Sequence, residues 1–144
     1  MASPLEVQLI LCDAAQADPG GKLHMLGAGW SVTTTPTGPH AVAIMVKVPW
    51  DRANEKIHGA LTLVDSDGRP LELPTPSGTP TTVVMEFDLE VGRPPGLEPG
   101  SMIDAAMAFN VGPLPVPSGR YQWRLDLGDQ RFAASFAARG GTPS

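Results

Sequence analysis

Cys12 is the single thiol of the chain, and His24, His40 and His58 are its imidazoles. A cysteine nucleophile needs a base to take its proton, which His24 or His58 would supply if a sheet carried either one across to Cys12. Cys12 also closes an apolar run, and a small thiol in that position is ordinarily a buried hydrophobe, which is the preferred reading. Asp13 beside it is expected to cap a turn at 14–18 by accepting hydrogen bonds from the backbone that follows. The histidines stand 16 and 18 residues apart, without the short spacing that gathers metal ligands locally. One cysteine can build neither an internal disulfide nor a thiolate zinc site.

Asp65-Ser-Asp-Gly68 opens like a calcium loop, in which oxygen ligands at alternate positions surround a hard cation. The continuation fails: the twelfth position is Pro76 where a bidentate glutamate is needed, and Leu71 and Leu73 offer no side-chain oxygen. A hairpin turn built on Asp and Gly is therefore expected. No phosphate-binding loop or nucleophile elbow occurs, and Gly27-Ala-Gly29-Trp30 lacks the third glycine of a dinucleotide fingerprint. These residues imply no cofactor and no metal.

The segment Trp50-Asp-Arg-Ala-Asn-Glu-Lys56 gathers an aromatic ring and both signs of charge between two good strands. Such residue types supply desolvated anchors and charge-assisted hydrogen bonds at interfaces, so Trp50, Asp51 and Arg52 are the candidate partner-binding residues. The competing reading is a solvated loop whose Trp50 covers the edge of the core.

The elements that must carry these residues follow from the composition and the hydrophobic period. With 144 residues there is room for one well-packed core, and 16 glycines with 16 prolines, against roughly 12% for the two types together in average proteins, argue against long helices. Ten basic residues against 15 acidic ones give a net charge of −5, the wrong sign for a general nucleic-acid binder. No run approaches the ~20 apolar residues of a spanning helix, so no membrane contact is expected. Glu6 and Gln8 interrupt the N-terminal apolar run, which therefore does not read as a signal peptide and points to a cytoplasmic protein.

Alternation with a period of two is clearest at 83–91, where Val83, Met85, Phe87, Leu89 and Val91 share one face. Tyr121, Trp123, Leu125 and Leu127 share another, and Gly128-Asp129 then joins this strand to Phe132, Ala134 and Phe136 as a two-residue hairpin. Val42 to Val48 and Ile57 to Val64 read as strands more buried than average, and 5–13 as one that passes from an edge into the core. A longer candidate spans 22–35 and is bent at Gly27 and Gly29; 101–111 reads as a further strand. Eight or nine strands separated by Pro- and Gly-rich turns predict an all-β, antiparallel two-sheet β-sandwich, immunoglobulin-like, with a closed β-barrel as the alternative. A single domain over 1–138 is expected, followed by a flexible tail over 139–144.

Leu11-Cys-Asp-Ala-Ala15, followed by Gly21-Lys-Leu-His-Met-Leu-Gly27, resembles a bacterial family known as domain-of-unknown-function family 6941. The likeness extends more weakly to Leu63-Val-Asp-Ser-Asp-Gly68 and Gly119-Arg-Tyr-Gln-Trp123, with its specificity concentrated in 9–29. It implies a small β-sandwich and brings no activity, cofactor or catalytic residue with it. The functional expectation is a non-enzymatic binding or assembly module that contacts a protein partner through loops or a sheet face; self-association into a homo-oligomer is left open. Two alternatives stand beside it. One is a carbohydrate-binding sandwich, weakened by a total of four Trp and Tyr residues. The other is a small enzyme using Cys12 or a His–Asp pair.

Overall fold

In the computed structural model, which describes residues 3–140, the alternating segments are strands. In chain order they are β1 (Glu6–Cys12), β2 (Ala14–Ala17), β3 (Leu23–Leu26), β4 (Val32–Thr35), β5 (His40–Val48), β6 (Ile57–Asp65), β7 (Glu72–Leu73), β8 (Thr81–Thr82), β9 (Val84–Leu89), β10 (Ile103–Val111), β11 (Gly119–Leu127) and β12 (Gln130–Gly140). The sole helical element among the described residues is a 3-10 turn, Trp50–Arg52. The chain is all-β. A three-stranded sheet runs β1-β5-β10 and a five-stranded sheet runs β4-β12-β11-β6-β9, with two-stranded ladders β2-β3 and β7-β8 beside them. None of these sheets closes into a barrel, so the barrel alternative is set aside.

Both large sheets feed one core. Val42, Ile44 and Val48 of β5, Leu61 and Leu63 of β6, and Trp123, Leu125 and Leu127 of β11 are all 0% exposed, and they share a single cluster with Leu11, Ile103 and Phe136. Each such side chain contributes roughly 1.5–3 kcal/mol on leaving water. The inward faces are the ones the alternation predicts. Gly128, at φ +61°, makes the two-residue turn between Leu127 and Gln130, a conformation a β-branched residue would resist. In β6, Gly59 lies opposite Phe87 of β9, and a Cβ there would come 2.4 Å from the ring, so the missing side chain leaves room for the aromatic.

Several expectations are corrected. The span 22–35 is two strands: β3 pairs with β2, whereas β4 joins the five-stranded sheet, and the glycine-rich stretch between them carries the chain from one to the other. β4 runs parallel to β12, a departure from the antiparallel rule that comes from a long-range return with no local signature. Residues 14–17 are strand rather than turn; the turn follows at 18–21 and its cap is Asp18, whose Oδ1 accepts from the amides of Gly20 at 2.9 Å and Lys22 at 3.0 Å. Asp13 instead packs against Gly27, where a Cβ would lie 2.1 Å from its Oδ2. Among the described residues twelve strands appear where eight or nine were expected, because ladders of two to four residues are too short to show a period. Finally, Arg139 and Gly140 belong to β12 and pair with Thr34 and Thr35, so a tail cannot start at 139; the rest of the expected tail, 141–144, lies outside the described residues.

Candidate functional site

Cys12 ends β1 on the outer side of the three-stranded sheet, opposite Ala41, and is 0% exposed. Its Sγ faces the carbonyls of Ala41 at 3.6 Å and Ile10 at 3.9 Å. Burial, reinforced by the negative charge of Asp13, pushes the thiol above its ordinary range, the reverse of what a nucleophile needs. Neither His24 nor His58 approaches it. His24 lies on β3 with Nε2 3.1 Å from Asp18 Oδ2, and His58 lies on the outer face of the five-stranded sheet between Asp88 at 3.2 Å and Glu86 at 3.3 Å. Both are His–acid pairs of the kind expected for the enzymatic alternative, and both are exposed. The carboxylates beside His58, Asp88 first, raise its pKa.

His40 has a different position. It is buried under Trp30, Trp123 and Phe136, with Nδ1 donating to the Gly38 carbonyl at 3.0 Å and Nε2 accepting from the Trp123 indole N–H at 3.2 Å. That pair of bonds selects the neutral ring, and burial lowers its pKa accordingly. Asp65 caps its turn as expected: Oδ1 accepts from the amides of Asp67 at 2.9 Å and Arg69 at 3.0 Å. Among the described residues no group of three or more His, Cys, Asp or Glu side chains is placed to hold a metal ion.

The three candidate partner-binding residues separate. Arg52 is 6% exposed, its guanidinium committed to Glu55 through two bonds of 3.2 and 2.9 Å and to the Ser3 carbonyl at 3.1 Å. Its role is to tie the N-terminal segment to the 3-10 turn, so it has no free face for a partner. Trp50 is half-buried and carries the Arg93 guanidinium 4.2 Å from its ring centroid. Asp51 is exposed and accepts from the Ser3 hydroxyl at 2.9 Å. Tyr121 and Trp123 are in the core, at 6% and 0% exposure, out of reach of a sugar ring.

A surface that the alternation does not reveal lies next to Trp50. The β2-β3 ladder folds over half of the outer face of the three-stranded sheet, where Ala15, Leu23 and Met25 of the ladder cluster with Ile10 and Cys12 of β1, Ala41 and Ala43 of β5 and Ala108 of β10. Asn110 of β10 pins this roof as a backbone amide would, donating Nδ2 to the Ala15 carbonyl at 2.8 Å and accepting the Ala15 N–H at 3.2 Å. The other half of the face stays open as a cleft of about 660 Å³. Met45 is 42% exposed on its floor, between Gln8 and Ala106, and the next row carries Glu6, Lys47 and Asp104. Lys47 reaches Asp104 at 2.9 Å. Glu6 also borders a shallower depression formed with Pro4, Trp50, Asp51 and Met102, so the open sheet face and the 3-10 turn are neighbours.

Among the described residues no helix is long and apolar enough to cross a membrane. A family model described as a family of unknown function (DUF6941) matches residues 8–135. No curated protein matches the chain.

Proposed function

The chain belongs to the DUF6941 family, a family of unknown function, and from its own geometry we propose that it is a non-enzymatic binding module of the cytoplasm, gripping a protein partner with the open half of its three-stranded sheet and the adjoining Trp50–Asp51 turn. In this reading the two large sheets form an immunoglobulin-like sandwich. The Tyr121 hydroxyl, which donates to the Pro117 carbonyl four residues upstream, supports that fold in the way a tyrosine corner does.

The observation that carries the functional reading is the half-finished roof. The β2-β3 ladder covers the small side chains of the outer face and stops short of Met45, leaving a flexible apolar side chain at the floor of a cleft bordered by Glu6, Lys47, Asp104 and Lys22. An adaptable thioether with charges around it suits a partner that brings one apolar side chain and polar neighbours. Trp50 and Met102 extend the same surface past Glu6. The thiol of Cys12 is sealed and its Sγ faces the Ala41 and Ile10 carbonyls, which favours binding over cysteine catalysis.

The test uses the wild-type chain and a Met45→Glu, Trp50→Ala variant as baits in lysate from the source cell, followed by mass spectrometry and titration calorimetry of the captured protein. Capture by the wild type, weakened in the variant by roughly 2 kcal/mol or more as hot-spot truncations are, is the expected result. Equal affinity for both baits, or no capture above an unrelated control, overturns the proposal.

A further inference from the structure

A second cleft, of about 650 Å³, lies on the outer face of the five-stranded sheet, away from the surface above. One wall is the turn after β6. Asp65 holds this turn in shape from within, and Arg124 pins it by donating to the Gly68 carbonyl at 3.1 Å. The other wall is the chain entering β4, held where the Ala137 amide donates to the Ser31 carbonyl at 2.9 Å. Arg120 of β11 stands opposite Ala137 of β12, so Arg139, two residues further along, is its diagonal neighbour on the same face. Both are exposed and both line the cleft.

The other arginines of β11 and β12 are spent. Arg124 and Arg131 are engaged by Asp126, at 3.6 and 2.7 Å, and away from the cleft Arg52 and Arg93 are bound to Glu55 and to the Trp50 carbonyl. Among the described residues the Arg120 and Arg139 guanidiniums have no hydrogen-bond acceptor and no carboxylate. Arg69 shares that condition but does not line the cleft. Hydroxyl donors surround the pair. Ser31 and Ser66 sit on the two walls, and Ser135 accepts from Gln122 Nε2 at 3.1 Å, which leaves its own O–H free to donate. Asp67 at the mouth is the opposing charge. In a chain of net charge −5, two unpaired guanidiniums converging on preformed walls are a local reversal of the overall field.

We propose that this cleft binds a phosphate monoester, with Arg120 and Arg139 taking the dianion and the Ser31, Ser66 and Ser135 hydroxyls completing its shell. The cleft is larger than one phosphate group, so the ester's remainder has room along Val32 and Ala137. The phosphate arrives either on a small metabolite or on a phosphorylated side chain, and the chemistry at the arginines is the same.

The experiment is a 15N-resolved NMR titration of the full chain at low ionic strength. The probes are inorganic phosphate, a short phosphoserine peptide and its unphosphorylated counterpart. Saturable shifts confined to 31–32, 66–68, 119–122 and 135–139 are expected. They should weaken about tenfold or more in Arg120→Gln/Arg139→Gln and stay unchanged in Arg131→Gln, whose guanidinium is already held by Asp126. Asp67→Asn should tighten binding. All these arginines are exposed or surface-paired, and equal melting temperatures would verify that the variants fold. A phosphoserine peptide that binds more tightly than phosphate, with its unphosphorylated form silent, assigns a phosphorylated side chain; equal binding assigns a free ester. No saturation by about 10 mM phosphate or phosphoserine peptide, or affinity unchanged in the double variant, overturns the proposal.

Discussion

His40 shows how one side chain can be both legible and misleading. In the sequence it is one of three scattered histidines; in the fold it accepts the Trp123 N–H and donates to the Gly38 carbonyl, a pair of bonds that needs the neutral ring. Its folded pKa lies below the usual value of 6.5, chiefly through burial. Above pH 6.5 both folded and unfolded states are neutral and the stability is fully present; as pH falls towards the folded pKa the unfolded chain takes up a proton that the folded chain refuses, and stability is lost. His58, raised by Asp88 and Glu86, acts in the opposite sense, its contribution being lost as pH rises. We therefore expect that in a His58→Gln background the urea midpoint falls from pH 8 to pH 5.5, and that adding His40→Gln flattens this slope; a slope unchanged by His40→Gln would contradict the assignment. Trp123→Phe should cost about 1–3 kcal/mol, because it strands the His40 acceptor in the core, and Trp123→Ala about 3–5 kcal/mol, both read from urea unfolding. The inward position of Trp123 was readable from alternation alone. The burial of Arg52 was not, because Ser3, whose carbonyl it holds, lies 49 positions away in the chain.

Elements of six or more residues were largely readable, and those of two to four residues were not. β5, β6, β10 and β11 carry nine residues each, enough for four or more repeats of the period, and their inward faces match the alternation. β2 and β3 have four residues each, and the contact of their ladder with β10 uses Asn110, 95 positions away in the chain from Ala15. Asn110→Ala removes two hydrogen bonds that anchor the roof to β10. It should destabilise the protein by about 1–2 kcal/mol and speed amide exchange across 14–26 more than in β11. Equal protection of the two regions in the variant would mean that packing over Cys12 and Ala43 alone holds the roof. The open cleft proposed as a partner-binding surface follows from the length of this ladder, since a longer one would cover Met45.

Across the molecule, one buried cluster takes side chains from both large sheets, so neither sheet keeps its apolar face covered without the other. Unfolding should therefore be a single transition, with tryptophan fluorescence and far-UV circular dichroism giving coincident urea curves; separated midpoints would show that the sheets come apart independently. The all-β class, the inward faces, the closing hairpin and the Asp65 turn all follow from local rules, period-two burial and turn chemistry, which act between neighbours in the chain and can be read from it. The parallel seating of β4, the roof over Cys12, the open floor at Met45 and the convergence of Arg120 and Arg139 on one cleft arise from contacts between distant segments. Sequence spacing carries no direct measure of such distances; they exist only once the sheets have chosen their partners, because hydrophobic burial is nondirectional and does not by itself say which strand lies beside which.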